Sequence, residues 1–371
     1  MNRQAVTDAK RVVLKVGSSS LTGSAGSALD ASAVGKIVDL ATSLRARGAE
    51  VLIVSSGAIA AGLAPLKLTT RPKDLPTQQA AASVGQGLLI AKYNELFSKH
   101  SIVSSQVLLT TEDVVRRSHY NTAQQTLSRL LALGVVPIIN ENDSVGTAEI
   151  RFGDNDRLAA LVALLVQADL LVLISDVDAL YDAHPSQPGA KAIHEVSNFA
   201  DIDSVEIGGA GSAGVGSGGM VTKIEAARIA TSSGTPMLLT SLAQSADALA
   251  GKEFGTIFKA GESKANSRLL WLAHASSARG RLVLDSGAVT AILEKGVSLL
   301  PAGVTSVEGD FSAGDTVELA TADGKVIARG LVAFDSGEIP QMLGRSTKEL
   351  AANLGAEYER ELVHRDDLVL L

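Results

Sequence analysis

The 371 residues contain no cysteine. That excludes a disulfide framework and thiolate chemistry, and it fits a reducing compartment. The segment Met1 to Lys10 has no basic region followed by a continuous apolar core, so no signal peptide is expected. No apolar run approaches the roughly 20 residues that span a bilayer. Leu158 to Ile174 comes nearest, and Gln167 and Asp169 interrupt it. No membrane association is expected, and the location expected is cytoplasmic. Basic excess is also lacking. Up to residue 275 there are 24 basic and 25 acidic residues, and from 276 onward 9 basic and 15 acidic. Neither part carries the positive charge of a nucleic-acid binder, so RNA is not an expected partner.

What remains is a hydrophobic fraction of 46% with 35 glycines, the composition of a compact α/β protein. The length allows two or three domains. The stretch Asn140 to Asp156, NENDSVGTAEIRFGDND, organises the rest. It follows a β-branched apolar run, Val135 to Ile139, that reads as a buried strand. In open α/β sheets, ligands bind where strands end. Glu141, Asp143, Glu149, Asp154 and Asp156 are relieved only by Arg151. Acids so close repel one another unless a cation or a ring of donors is present. A solvated acidic loop is the plain alternative. The interleaved Asn140, Asn142 and Asn155, and the apolar helix from Leu158 to Val166 that follows, favour a site holding an amine, a metal or catalytic lysines.

Taken in order, Arg11 to Val16 reads as a buried strand with Lys15 inside it, followed by Gly17 and three serines. A lysine there can direct its ammonium at a phosphate; a snorkelling surface lysine is the alternative. Asp30 reads as the N-cap of a helix over Ala33 to Arg45. Glu50 to Val54 is the next strand, ending in Ser55, Ser56, Gly57 and Ala58. Ser56 and the N–H groups of Gly57 and Ala58 suit a carboxylate, although an ordinary turn would look the same. Pro65 to Pro76 reads as a connection and Gln78 to Phe97 as a helix. A strand over Val103 to Leu109 and a helix over Asn121 to Leu133 lead to the acidic stretch. Asn155 reads as a helix cap. The strand Leu170 to Ile174 ends in Ser175 and Asp176. Strands alternating with helices argue for a parallel sheet covered on both faces.

Residues 208–223 form a glycine-rich run entering a helix at Gly218 and Gly219, with Lys223 on its first turn. The formal G-x-G-x-x-G over Gly209, Gly211 and Gly214 does not read as a dinucleotide fingerprint, because no apolar strand leads into it. No Gly-Lys-Ser/Thr occurs there, which excludes a Walker A loop. Free N–H groups at a helix start, with Lys223 beside them, favour an anion over a flexible linker. Lys15, Lys223 and the acidic cluster make a phosphoryl-transfer constellation, in which ATP phosphates with Mg²⁺ are positioned and neutralised. No general base is needed if the acceptor is a carboxylate, ionised at neutral pH. His119 and His184, in polar segments, read as surface residues.

Lys15-Val-Gly-Ser-Ser, Val54 to Gly62, Ile139 to Asp143, Gly153 to Asp156 and Gly218 to Lys223 resemble, in order, the motifs of the amino acid kinase superfamily. Within it the match is to the branch that phosphorylates the side-chain carboxylate of L-glutamate in the first step of proline synthesis. The resemblance implies a three-layer sandwich around a mostly parallel sheet. It implies that Lys15 and Lys223 stabilise the transferring phosphoryl group and that Asp156 orients them. Ser56, with Gly57 and Ala58, and Asp143, Asp154 and Asn155 would bind glutamate. Gly17, Ser175, Asp176 and the loop of Ser217, Gly218, Gly219, Met220, Val221, Thr222 and Lys223 would hold ATP with Mg²⁺, for which no protein ligand is assigned. It further implies proline as feedback inhibitor, hand-over to glutamate-5-semialdehyde dehydrogenase, and a homo-oligomer.

The expected domains are residues 1–262, a linker over 263–278, and 279–371. The last part reads as a strand at Arg281 to Asp285, a helix at Ala288 to Glu294, and a hairpin through Asp323 and Gly324. Residues 364–371 would close a small barrel, and this part resembles a PUA domain. Its acidic balance favours a regulatory or structural module. Rival readings are a related kinase acting on N-acetylglutamate, aspartate or carbamate, and an RNA-binding protein with an inactive kinase part.

Overall fold

The structure is a computed structural model that describes residues 3–22, 28–110, 113–114, 117–145, 155–185, 187, 189–202, 219–260 and 278–371. The chain forms two compact units, one built on the described residues up to 260 apart from Arg117, and the other on Arg117 and those from 278 onward. The expected linker lies outside the described residues except for Ala278.

The longer elements of the first unit are β1 (Arg11–Val16), α1 (Ala31–Ala46), β2 (Glu50–Ser55), α2 (Ala58–Leu63), α3 (Leu75–Ser98), β3 (Ser104–Leu109), α4 (Arg117–Ala132), β4 (Val136–Glu141), α5 (Asn155–Leu165), β5 (Leu170–Ser175), β6 (Glu195–Val196), α6 (Met220–Ser232), β7 (Met237–Ser241) and β8 (Thr256–Phe258). The strands form one eight-stranded sheet in the order β3-β4-β2-β1-β5-β7-β8-β6. Every pairing is parallel except β7 with β8. From β1 the chain builds β2, β4 and β3 on one side, and it crosses through α5 to place β5 on the other side of β1. That is the switch point at which open α/β sheets form a crevice.

Strand alternation sorts the side chains. Val12, Leu14 and Val16 of β1 join one core cluster with Val34, Ile37, Val38 and Ala41 of α1 and Leu89, Tyr93 and Phe97 of α3. Val13 and Lys15 therefore face the other layer, where α5 lies against β1 and β5 and packs on α6. Leu158 to Leu165 of α5 are buried all round, as suits a helix enclosed between the sheet and a second helix. The layers are helix, sheet and helix.

Asp30 caps α1 as expected, its carboxylate accepting from the Ser32 and Ala33 N–H groups. Three expectations need correction. Helix α3 begins at Leu75, inside the expected connection: Asp74 caps it, accepting from Thr77 N–H at 3.0 Å, and Pro76 occupies the first turn, where a missing N–H costs nothing. Strand β4 runs on through Asn140 and Glu141, so the acidic stretch starts inside the sheet. Asn155 is the first residue of α5 rather than its cap, and its amide is used across the sheet instead. Strand β7 was not expected at all. Its short run, MLLTS, carries no alternation that would separate it from a buried helix segment.

The second unit is mainly β: β9 (Gly280–Leu284), α7 (Ser286–Lys295), β10 (Val304–Gly309), β11 (Thr316–Ala320), β12 (Val326–Val332), α8 (Thr347–Leu354) and β13 (Val363–Leu370). Its sheet order is β10-β9-β11-β12-β13, and a bridge from Leu299 to Val363 ties edge strand β13 to the segment before β10. Its own core gathers Leu282, Val317, Leu319, Phe334 and Leu350.

Helices α2 and α3 cross with their backbones in contact. A Cβ on Gly85 would lie 1.8 Å from the Ala58 carbonyl oxygen, and one on Gly62 would lie 1.9 Å from that of Ala81. On Gly87, one helical position beyond Gln86, it would meet nothing within 4 Å. Gly85→Ala should therefore destabilise the protein by about 1–3 kcal/mol or more in urea unfolding, as overpacked sites do. Gly87→Ala should instead stabilise by roughly 0.5–1 kcal/mol. Equal effects would refute the close helix crossing.

Candidate active site

The carboxyl ends of β1, β2, β4 and β5 deliver Lys15, Ser56, Asn140 and Ser175 to one crevice, and each is buried. Parallel register does this: Lys15 lies beside Val54 of β2 and Leu173 of β5.

At its centre is Asp156, on the first turn of α5 and 2% exposed. Lys15 Nζ lies 2.5 Å from Asp156 Oδ1 and Lys223 Nζ 3.4 Å from Oδ2. Thr222 donates to Oδ2 at 2.8 Å. Burial alone would push the Asp156 carboxyl up, but Lys15 and Lys223, with hydrogen bonds from Lys15 and Thr222, outweigh it and hold it down at about 2. The helix start adds favourable dipole to the anion. Two buried ammoniums share one carboxylate, so the cluster retains one positive charge in excess, suited to an anionic ligand. Gly17 lies beside it; its N–H donates to the Ile174 carbonyl at 3.2 Å, and a Cβ there would sit 3.6 Å from Lys15 Nζ.

A chain of amides runs next to this cluster. Asn155 Nδ2 donates to Ser56 Oγ at 2.8 Å and to Asn140 Oδ1 at 3.1 Å. Asn140 Nδ2 donates to Gln86 Oε1 at 2.7 Å. Asn155 Oδ1 is buried with no hydrogen-bond partner among the described residues. Gly57 takes φ of +102°, a backbone that favours glycine, and so turns the chain from Ser56 into α2, whose first N–H groups, from Ala58 on, open towards the same end of the sheet. Asp143 follows β4. Burial pushes its carboxyl up to about 6 against the smaller opposing pull of Arg71.

On the other side of Lys15, Ser175 donates to Asp176 Oδ1 at 2.9 Å. Helix α6 begins after Gly219 with no side chain capping it, and carries Met220, Val221, Thr222 and buried Lys223 in its first turn. Thr222, expected among the nucleotide residues, is thus engaged with Asp156. Asp154, Ser217 and Gly218, with most of the glycine run, lie outside the described residues. Asn140 was expected only as one of the amides interleaved with the acids, with no role assigned, and Gln86 was not expected as a site residue. Gln86 had a signal: it stands in helical register with Leu89, Tyr93 and Phe97 on the buried face of α3.

The amino acid kinase family matches residues 10–241, and the PUA domain matches residues 280–354. The Glutamate 5-kinase of Streptomyces coelicolor is 60% identical over 369 residues, covering 100% of this chain and 98% of that protein. The chain belongs to the glutamate 5-kinase family. That of Salinispora arenicola is 59% identical and covers 100% of both chains, and that of Bifidobacterium longum is 50% identical, covering 100% of this chain and 98% of its own. The chain is thus an amino acid kinase with a C-terminal PUA domain, and these relatives match it over 98% or more of their own length.

Removing the charge of Asp156 takes from Lys15 and Lys223, both buried, the carboxylate that they share. Asp156→Asn should cost about 3–5 kcal/mol of unfolding free energy at pH 7. The folded carboxyl sits at about 2, below the ordinary 3.8, so its stabilisation is present above 3.8 and is lost as pH falls towards 2. The gap between wild type and variant should narrow over that window, by at most about 2–2.5 kcal/mol, in pH-dependent denaturant melts. A gap unchanged at pH 2 would contradict the ion cluster.

Proposed function

We propose that this chain transfers the γ-phosphoryl group of ATP to the side-chain carboxylate of L-glutamate, giving L-glutamyl 5-phosphate, the first step of proline biosynthesis. The observation that carries this reading is the pair of lysines held on Asp156 with Asn155, the adjacent residue, offering an unpaired acceptor. One side of the site suits phosphate and the other suits an ammonium.

A glutamate carboxylate oxygen attacks the γ-phosphorus, the new O–P bond forms as the bond to ADP breaks, and no proton moves. The acceptor is ionised at neutral pH, so transfer needs no histidine base. Lys15 and Lys223 neutralise charge on the transferring group, and Asp156 fixes both before substrate arrives, so little reorganisation is needed during transfer. Gly17, Ser175, Asp176 and the segment from Ser217 to Lys223 hold the nucleotide, with the uncapped start of α6 towards its phosphates. Among the described residues no three carboxylates or histidines cluster as a metal site. Mg²⁺ enters with the nucleotide and neutralises its phosphates. Asp143, Asn155 and Asp154 take the amine, and Ser56 with the N–H groups of Gly57 and Ala58 takes the α-carboxylate.

The catalytic domain is residues 1–262, the linker 263–278 and the C-terminal domain 279–371. The acyl phosphate hydrolyses readily, which favours direct hand-over to glutamate-5-semialdehyde dehydrogenase. Proline as feedback inhibitor at or near the glutamate site, a homo-oligomer and a cytoplasmic location complete the reading. The acidic C-terminal unit disfavours RNA as a partner.

Incubation with ATP, Mg²⁺ and hydroxylamine should yield a hydroxamate with L-glutamate and little with N-acetylglutamate or L-aspartate; folded protein silent with glutamate would refute the assignment. Lys223→Ala should lower kcat by about 10²–10³ or more while the protein stays folded, and near-normal turnover would remove it from transfer. The amine needs Asp143 ionised, and that carboxyl sits at about 6. So kcat/KM for glutamate should fall as pH drops through 6. Asp143→Asn should raise the glutamate KM far more than the ATP KM and erase that acid limb; an acid limb surviving in the variant would assign it elsewhere.

A further inference from the structure

The amide chain has a direction, and one residue at its end sets it. Asn140 Oδ1 accepts from the backbone N–H of Glu141 at 2.9 Å. A backbone N–H cannot be inverted, so the oxygen of Asn140 must face it. Its Nδ2 then faces Gln86, which answers with Oε1 at 2.7 Å. Asn155 must answer the same Asn140 oxygen with Nδ2, at 3.1 Å, and the Nδ2 group spends its second proton on Ser56 Oγ. The remaining atom of Asn155, Oδ1, is left as a buried acceptor with no partner among the described residues, and Gln86 Nε2 is left as a buried donor in the same condition. Asn155 is 3% and Gln86 9% exposed.

A buried amide with an open valence is costly unless something completes it. Gln86 lies on the face of α3 that otherwise carries Ala82, Leu89, Tyr93 and Phe97, all buried. An apolar side chain there would satisfy the core better. The tight crossing at Gly85, against the Ala58 carbonyl, is what brings this turn of α3 up to Asn140.

We infer that Gln86 is a positioning residue for amine recognition: by accepting from Asn140 Nδ2 it anchors the Asn140 side chain, whose polarity the Glu141 N–H sets, where its oxygen keeps Asn155 turned with Oδ1, an acceptor, towards the substrate ammonium. The inference rests on the glutamate reading. With that anchor lost, Asn140 is no longer held within reach of Asn155 Nδ2, and Asn155 is free to turn its NH₂ group, a donor, towards the cation.

The test uses the full-length protein and the hydroxamate assay. Gln86→Met keeps the volume and removes the acceptor; Gln86→Glu keeps the acceptor and removes the donor. Gln86→Met should raise the L-glutamate KM about 10- to 100-fold, the cost of a hydrogen bond to a charged group, with the ATP KM changed less than about twofold on the same scale. Gln86→Glu should recover most of that loss. In an Asn155→Ala background, Gln86→Met should have no further effect, because both act through one contact. An unchanged glutamate KM in Gln86→Met, an equal rise for ATP and glutamate, failure of Gln86→Glu to recover, or additivity with Asn155→Ala would each overturn the inference. A wild-type protein silent with L-glutamate would defeat the substrate reading itself. An active wild type with an indifferent Gln86→Met would defeat only the positioning role.

Discussion

A carboxylate removed from water between two ammoniums is the constraint on which the site depends. Asp156 is held ionised at about 2 by Lys15 and Lys223 against the opposing effect of burial. A buried pair stabilises little, because desolvation consumes most of the attraction. Here the third member changes the outcome. The second lysine leaves the cluster with surplus positive charge, which water cannot relieve and an anionic ligand can. The three charges arrive from three elements, β1, α5 and α6. Their convergence requires α5 and α6 to pack on the same face of the sheet, the face that alternation assigns to Lys15.

The sheet supplies the precision. Four parallel strands end together at the switch point around β1, so short side chains suffice to reach a common centre. Next to the charges the site changes to neutral amides and a hydroxyl, whose hydrogen bonds have a fixed direction. One part of the crevice is thus distinguished by charge and the adjoining part by hydrogen-bond polarity, the division on which the proposed function rests. The tight packing of α2 on α3 links this to the core, since a methyl group on Gly85 would push Gln86 away from Asn140.

Much of this was legible in the sequence. Buried strands announced themselves as β-branched runs, and what followed each run marked the crevice: Lys15, Ser56, the asparagines and acids after Ile139, and Ser175. Lys223 was legible because glycines stop where a helix begins. What failed has physical causes. Asn155 has the side chain of a cap, but a stronger use for its amide lay across the sheet, at Ser56 and Asn140, which only the tertiary fold reveals. Pro76 looked like a linker residue because proline breaks helices everywhere except in their first turn. Gln86 was hidden in an alanine-rich helix, although its register with Leu89, Tyr93 and Phe97 places a polar group on a buried face. Thr222 read as part of a phosphate loop; its bond to Asp156 depends on α5 and α6 meeting.

The most direct test of the charge cluster separates binding from transfer. In folded Asp156→Asn protein, the dissociation constant for a non-hydrolysable Mg²⁺–ATP analogue would be measured by calorimetry beside the single-turnover rate of phosphoryl transfer to L-glutamate. Because Asp156 organises the lysines rather than touching the nucleotide, transfer should slow by about 10²–10³, while the dissociation constant changes by less than about tenfold. A variant that transfers phosphate at the wild-type rate, or that loses nucleotide affinity in proportion to rate, would contradict the role given to this carboxylate.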